Sequence, residues 1–317
     1  MDKTTMKTVG TFIKERRKQK NLTQEALTKM AEASSVRTIQ RIESGYVKTY
    51  LHTIYPILSA LNISHEEFDG MCYGINIRTF YSDVEHIWDM GPAKNYDAMP
   101  KMIEELKEKY GKQDRPTVKQ AILLLEGAVL CDKYKDYTAS LATMYEALKL
   151  TTTDIVSDID VINCRKVSNI VFSLYEYRIL RFIANLYALL GESEKSLGLN
   201  KAIVVSLERD TNDYGLQKKL IPLTFFNLSN RMIDAGDHAD ALILTEKGLG
   251  FCYQTKEFKY LGNLLWNKGK ASYYLGDVEK ATTSFQESYS FFTSKQEYVT
   301  AKYLQEVAKE KYNLILG

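Results

Sequence analysis

The sequence predicts an all-α protein, a small helical bundle at the N-terminus followed by a long stack of helix pairs, and three observations predict it. Prolines are scarce, with five in 317 residues, at positions 56, 92, 100, 116 and 222. Apolar residues recur at i, i+3, i+4 and i+7 almost throughout, while no alternating strand pattern runs longer than a few residues. Small residues also return at matching distances from four turns in the C-terminal body, as closely packed helices require.

Within the N-terminal bundle, the first helix should run from about Val9 to Lys20 and stop at Asn21, a residue that tolerates the left-handed conformation. Thr23 is placed to cap a second helix over 24–32, and Ser34 or Ser35 a third that runs to about Ser44, with Gly45 ending it. A fourth should follow from about Leu51 to Leu61. Ile13, Leu22, Leu27, Met30, Ile39, Ile42, Ile54, Leu58 and Leu61 supply the expected core. Charge separates this head from the body. Residues 1–50 hold eleven Lys or Arg against five acids, a net +6, whereas residues 51–317 hold 31 basic against 35 acidic side chains, a net −4. Only the head is suited to meet a polyanion.

The glycines of Asp69-Gly70-Met71-Cys72-Tyr73-Gly74 mark the junction, which divides the chain into a head at 1–69, a linker at 70–77 and a body at 78–317. Pro100 and Pro116 fit the first turns of helices, where proline forfeits no hydrogen bond. The body repeats around four turns, of which the first, Tyr134-Lys135-Asp136, lacks the glycine found in Leu190-Gly191-Glu192, Ala235-Gly236-Asp237 and Leu275-Gly276-Asp277. Seven residues before each turn stand Ala128, Ala184, Ser229 and Gly269. Five after stand Ser140, Ser196, Ala241 and Ala281; twelve after, Ala147, Ile203, Gly248 and Ser288. The turns are 56, 45 and 40 residues apart, so the units carry insertions, the longest over 152–169. A further unit fits 79–112, and the amphipathic stretch from Lys295 to Leu316 fits a closing helix.

This pattern resembles the tetratricopeptide repeat, which implies helix pairs stacked into a right-handed superhelix. The head resembles the Xre and repressor class of helix-turn-helix proteins through Leu22-Thr23-Gln24-Glu25-Ala26-Leu27 and Ile39-Gln40-Arg41-Ile42-Glu43-Ser44-Gly45. The resemblance implies that the third helix enters the major groove, with Val36, Arg37 and Arg41 at base-facing places and Gln24 on a phosphate. Arg37 and Arg41 are four apart on one face, opposite Ile39 and Ile42, and an arginine there can bond guanine O6 and N7 together. Thr38, Gln40 and Lys48 fit contacts to the DNA backbone or a solvated face, and Ser35 is a further candidate DNA contact. Arg17 and Glu43 occupy places that form an ion pair in this class.

With Leu61-Asn62-Ile63-Ser64-His65-Glu66-Glu67-Phe68 after such a head and degenerate repeats behind it, the chain resembles Rgg-type regulators of the peptide-pheromone receptor family that includes PlcR and PrgX. That resemblance implies a homodimer on promoter DNA, regulated by a short quorum-sensing peptide held on the inner face of the repeats. The inner helices offer Arg178, Arg181 and Asn185 before the second turn, and Phe226, Asn227 and Asn230 before the third. Before the fourth they offer Asn263, Trp266, Asn267, Lys270 and Tyr273. Asparagine is a poor helix-interior residue, so five on three helices need a reason. Each carboxamide carries one acceptor and two donors and can clamp the backbone of an extended peptide, or it can bond a neighbouring helix.

Other classes fit less well. There is no Gly-rich phosphate loop, nucleophile motif or paired metal-ligand spacing, so an enzyme, a cofactor and a metal are not expected. Cys72, Cys131, Cys164 and Cys252 read as ordinary thiols. No apolar run suits a membrane span or a secretory leader, and the protein is expected in the cytoplasm. The alternative is a DNA-anchored repeat scaffold regulated by a protein partner instead of a peptide.

Overall fold

The structure is a computed structural model that describes residues 3–33, 35–45, 51–63, 68, 77–91, 95–111, 115–156, 162–209 and 220–317. Among these residues the regular structure is sixteen α-helices and one 3₁₀ turn, Thr153–Ile155, with a lone bridge between Val156 and Ile162.

The head comprises α1 (Lys3–Gln19), α2 (Gln24–Met30), α3 (Val36–Glu43) and α4 (Leu51–Ala60). Helix α1 begins before the expected Val9, because the polar run ahead of it continues the helix without adding apolar periodicity. Asn21 and Gly45 both turn through positive φ, 55° and 67°, and end their helices as expected. Thr23 caps α2 by accepting from the amide of Ala26. The core unites Val9, Ile13, Leu27, Ile39, Ile42, Ile54, Leu58 and Leu61 with Tyr55, Ile57 and Phe68. Met30 departs from the expected core and is 55% exposed. Ala31, four residues after Leu27, takes the inward place as α2 ends, which leaves Met30 turned away from it. Helices α1 and α3 meet backbone to backbone at Gly10, where any Cβ would run into the carbonyl oxygen of Ile42.

The chain divides into two compact units, residues 1–190 with 208–212, and residues 191–207 with 213–317. In the first, behind the head, lie α5 (Ile77–Met90), α6 (Met99–Tyr110), α7 (Pro116–Asp132), α8 (Tyr137–Lys149), the short α9 (Cys164–Val167) and α10 (Leu174–Leu189). Pro100 and Pro116 fall in first turns, and α5 and α6 form the expected extra pair. Residues 70–76 of the expected linker lie outside the described residues, and Ile77 already opens α5. The insertion at 152–169 holds the 3₁₀ turn, the bridge and α9. Beside it the buried Glu176 carboxylate accepts from Thr151 Oγ1 and the Ser173 amide, while burial pushes its pKa up.

The second unit contains most of α11 (Ser193–Arg209), then α12 (Leu220–Asp234), α13 (His238–Thr255), α14 (Leu261–Tyr274), α15 (Val278–Ser294) and α16 (Tyr298–Tyr312). All four aligned turns are left-handed: Gly191, Gly236 and Gly276 at φ 81°, 87° and 86°, and Lys135, lacking the glycine, at 58°. All twelve small-column residues are buried. A Cβ at Gly269 would stand 2.5 Å from Phe285 Cδ1, and one at Gly248 3.0 Å from Leu264 Cδ2. Helix α16 closes this unit by burying Ala301, Leu304, Ala308 and Tyr312 together with Leu316.

Among the described residues no helix is long and apolar enough to cross a membrane, and no His, Cys, Asp and Glu cluster could hold a metal. Burial pushes the thiols of Cys131 and Cys252 up to about 12 and about 11, and raises that of Cys164.

Candidate functional sites

In the head, Ser35 caps α3 from an extended backbone, its hydroxyl accepting from the Thr38 amide at 3.3 Å. A polar side chain is needed there because the first amides of a helix lack internal partners. From this start, Ile39, Ile42 and Glu43 turn inward, Arg37, Gln40 and Arg41 stand exposed, and Val36 and Thr38 are half-buried. Helical periodicity alone puts the two arginines on the solvent side of α3.

Behind that face Arg17 and Glu43 form the expected ion pair, Nε donating to Oε1 at 2.5 Å and Nη2 to Oε2 at 3.0 Å. Arg17 Nη1 also donates to the Leu22 carbonyl, tying the end of α1 to the turn before α2. Burial pushes the Glu43 carboxyl up, but hydrogen bonds from Arg17 and Gln24, with the Arg17 charge, outweigh it and hold it below the ordinary range. Gln24, expected on a DNA phosphate, has a partner within the head. Its amide donates to Glu43 Oε2 at 2.8 Å, because a buried carboxylate with a spare lone pair sits within reach. Lys48 lies outside the described residues.

In the first unit, Arg178, a candidate for the inner face, meets one of the protein's own carboxylates. Its guanidinium donates bidentately to Glu85 of α5, at 2.5 and 2.7 Å, and lies over the rings of Trp88 and Tyr175. Tyr175 adds a third bond to the same carboxylate. A buried arginine held this way links two helices. On the same helix Arg181 is half-buried and Asn185 exposed.

In the second unit Asn267 is wholly buried, and its Nδ2 donates to the Phe226 carbonyl at 3.0 Å and to Ser229 Oγ at 2.9 Å. This asparagine bonds the neighbouring helix, the other of the two roles open to it. Trp266, 9% exposed, packs against Phe285 and Tyr312 as part of the closing core. Tyr273, half-buried, meets Tyr312 edge-on. Phe226, Asn227, Asn263 and Lys270 are also half-buried. Asn230 accepts from Lys270 Nζ and donates to Asp234 at 3.4 Å, so α12 and α14 are joined through polar side chains on one face.

Residues 13–68 match the helix-turn-helix family, and residues 84–315 match the RNPP family C-terminal domain. The chain belongs to the RNPP family. Two solved structures extend the likeness to the fold of nearly the whole chain. PlcR of Bacillus thuringiensis, solved with the peptide PapR7 and DNA, is 18% identical with a TM-score of 0.61, covering 94% of this chain and 99% of its own. The apo competence regulator ComR of Streptococcus vestibularis is 16% identical with a TM-score of 0.55, covering 99% and 100%. No curated protein matches the sequence.

As an RNPP family member the chain is built as the sequence predicts, with an all-helical fold in which helical repeats follow a helix-turn-helix head. What the sequence did not reveal are the acidic partners. Glu85 lies 93 residues from Arg178, and no spacing rule marks such a contact. Asp234 had a weak signal, since it stands four residues after Asn230 on the same helix.

Proposed function

We propose that this chain is a promoter-binding transcription regulator whose repeats bind a short signalling peptide inside the cell, and that the peptide controls DNA binding. The union of a helix-turn-helix head with an RNPP C-terminal domain in one chain carries this reading. Likeness to PlcR, a protein solved with both a peptide and DNA, supports it.

In this reading the head, residues 1–69, reads DNA, and residues 78–317 sense the peptide. Arg37 and Arg41 bond guanines, with Val36 against a thymine methyl. Ser35, Thr38, Gln40 and Lys48 follow the phosphates, and Gln24 joins them by releasing its bond to Glu43. The candidates for contact with the peptide are Arg181 and Asn185 in the first unit and Phe226, Asn227, Asn230, Asn263, Lys270 and Tyr273 in the second; Arg178 within the first unit, and Trp266 and Asn267 within the second, brace the helices that carry them. The regulator acts as a homodimer, since one head contacts too little DNA for strong specificity and such heads read paired half-sites.

The test is gel retardation of the gene's own upstream region by the full-length protein at fixed salt, with and without short peptides extracted from the producing culture. A retarded band whose intensity changes with the peptide fraction is expected. Retardation insensitive to every peptide fraction, together with stable capture of a partner protein, would sink the peptide reading and leave a DNA-anchored scaffold.

A further inference from the structure

We infer that Lys270, flanked by Arg231 and Lys311, is the hook for a carboxylate of the bound peptide, either its free C-terminus or an acidic side chain. The inference rests on the peptide-binding reading above and assigns the chemistry of one end of that site.

Register comes first. Lys270 stands six residues before the turn at Gly276, the place held by Asn230 before Gly236 and by Asn185 before Gly191. The bond from Lys270 Nζ to Asn230 Oδ1 shows that this column faces along one side of adjacent helices in the second unit. Two places carry a neutral amide and one carries a cation.

That cation is poorly compensated. An ammonium has three donors, and the one acceptor it reaches among the described residues is a neutral carboxamide. The nearby acid, Asp234, is shared with Arg231 at 3.6 Å and with the Asn230 amide. The charges that act on Lys270 are Arg231 and Asp234 from α12 and Lys311 from α16, while Asn230 of α12 accepts its hydrogen bond. Three cations thus confront one acid. Burial, with Lys311 and Arg231 adding to it, lowers the Lys270 amine to about 8 against the partial relief of Asp234.

A lysine that served structure alone would be paired, or would extend its head into water. Arg178 shows the paired solution in the first unit, with its charge quenched by Glu85. Lys270 is half-buried, so a ligand can reach it from outside, and a carboxylate there would fill both spare donors and complete the charge balance. Tyr273, three residues on from Lys270 along α14, packs against Tyr312 at 4.9 Å and offers a ring wall for the adjoining side chain.

The experiment uses the full chain and a pool of random heptapeptides made twice, once as free acids and once as isotope-labelled C-terminal amides. Peptides that co-elute with the protein are quantified by mass spectrometry. Free acids should be retained about tenfold over their amides, or an acidic residue should be enriched at one position, a factor that corresponds to about 1.4 kcal/mol for one charge-assisted bond. The first outcome identifies the C-terminus as the source and the second a side chain.

Lys270→Met should erase the preference while leaving the thermal midpoint at or above wild type, because an uncompensated charge has been removed; Lys270→Arg should keep the preference. Binding to wild type should also weaken as pH rises past the point where the amine loses its proton. Equal retention of acids and amides with no acidic position enriched overturns the inference while the peptide reading stands. So does a Lys270→Met chain that keeps the preference. Retention of no peptide at all overturns both. The wild-type comparison decides the matter even if a variant fails to fold.

Discussion

Arg37 and Arg41 leave α3 on the side away from Ile39 and Ile42, and neither side chain is buried. Their removal should therefore leave the head folded and change only what it grips. Arg37→Ala and Arg41→Ala should each weaken operator binding by about 1–3 kcal/mol and relax the choice of base at one position, as a gel-shift titration against single-base operator variants would show. Glu43 makes the contrasting case. Its carboxyl is held below the ordinary value, so its contribution to stability is complete above the unfolded value of about 4.3 and is lost as pH falls through the lowered one. Glu43→Gln should cost about 3 kcal/mol at neutral pH, because it strands a buried arginine, and should flatten the acid limb of the stability curve. Amide exchange in α1 and α3 across pH 3–7 would check both. The Arg17–Glu43 pair was legible because a family pattern marks its two places. The Arg178–Glu85 pair was not, since nothing local distinguishes an arginine that meets a ligand from one that meets a distant glutamate.

At the scale of helices, the close packing foretold by the small-residue columns can be weighed by adding one methyl group. Gly269→Ala would place carbon 2.5 Å from the Phe285 ring and should destabilise the second unit by about 1–3 kcal/mol, with α14 and α15 forced apart. Gly250, inside α13 with nothing within 4 Å of a would-be Cβ, is the control. There Ala should stabilise by about 0.5–1 kcal/mol through lost freedom in the unfolded chain. Denaturant midpoints of the two variants should move in opposite directions; a shared direction would refute the packing argument. Helix pairs were readable wherever a glycine ended one, since left-handed backbone strongly favours that residue. Lys256 and Gln296, at φ 57° and 61°, make the same turn without it and left no such mark. Met30 misled for a related reason: periodicity identifies a stripe, but the end of a helix decides which edge of the stripe stays covered.

For the molecule as a whole, the readable part was the order of its parts, a basic head before an acidic body of repeats, because charge and period are summed over many residues and survive local errors. The proposed ligand face was readable only as a set of candidate residues. Which of them look outward depends on partners such as Phe226 for Asn267, 41 residues distant. Two-fold use of the head makes a geometric prediction. Operator fragments with half-sites one helical turn apart, about 34–36 Å, should bind far more tightly than fragments with five extra base pairs, which rotate one half-site to the opposite side of the duplex. Equal affinity for the two would argue for a monomer on DNA. Affinity for the preferred fragment should fall linearly on a log–log salt plot, with a slope near −0.9 per phosphate contacted.

The raised thiols of Cys131, Cys164 and Cys252 give the protein a quiet chemical background. At neutral pH almost none of the three is in the thiolate form that attacks a maleimide, and Cys131 and Cys252 are shielded as well. With Cys72, which lies outside the described residues, changed to Ser, a cysteine introduced at the exposed Asn185 should take up a fluorophore selectively. The dye would stand on the side of α10 assigned to the peptide, so ligand arrival could be followed in real time by emission from a single labelled position, in a chain whose own sulfur stays silent.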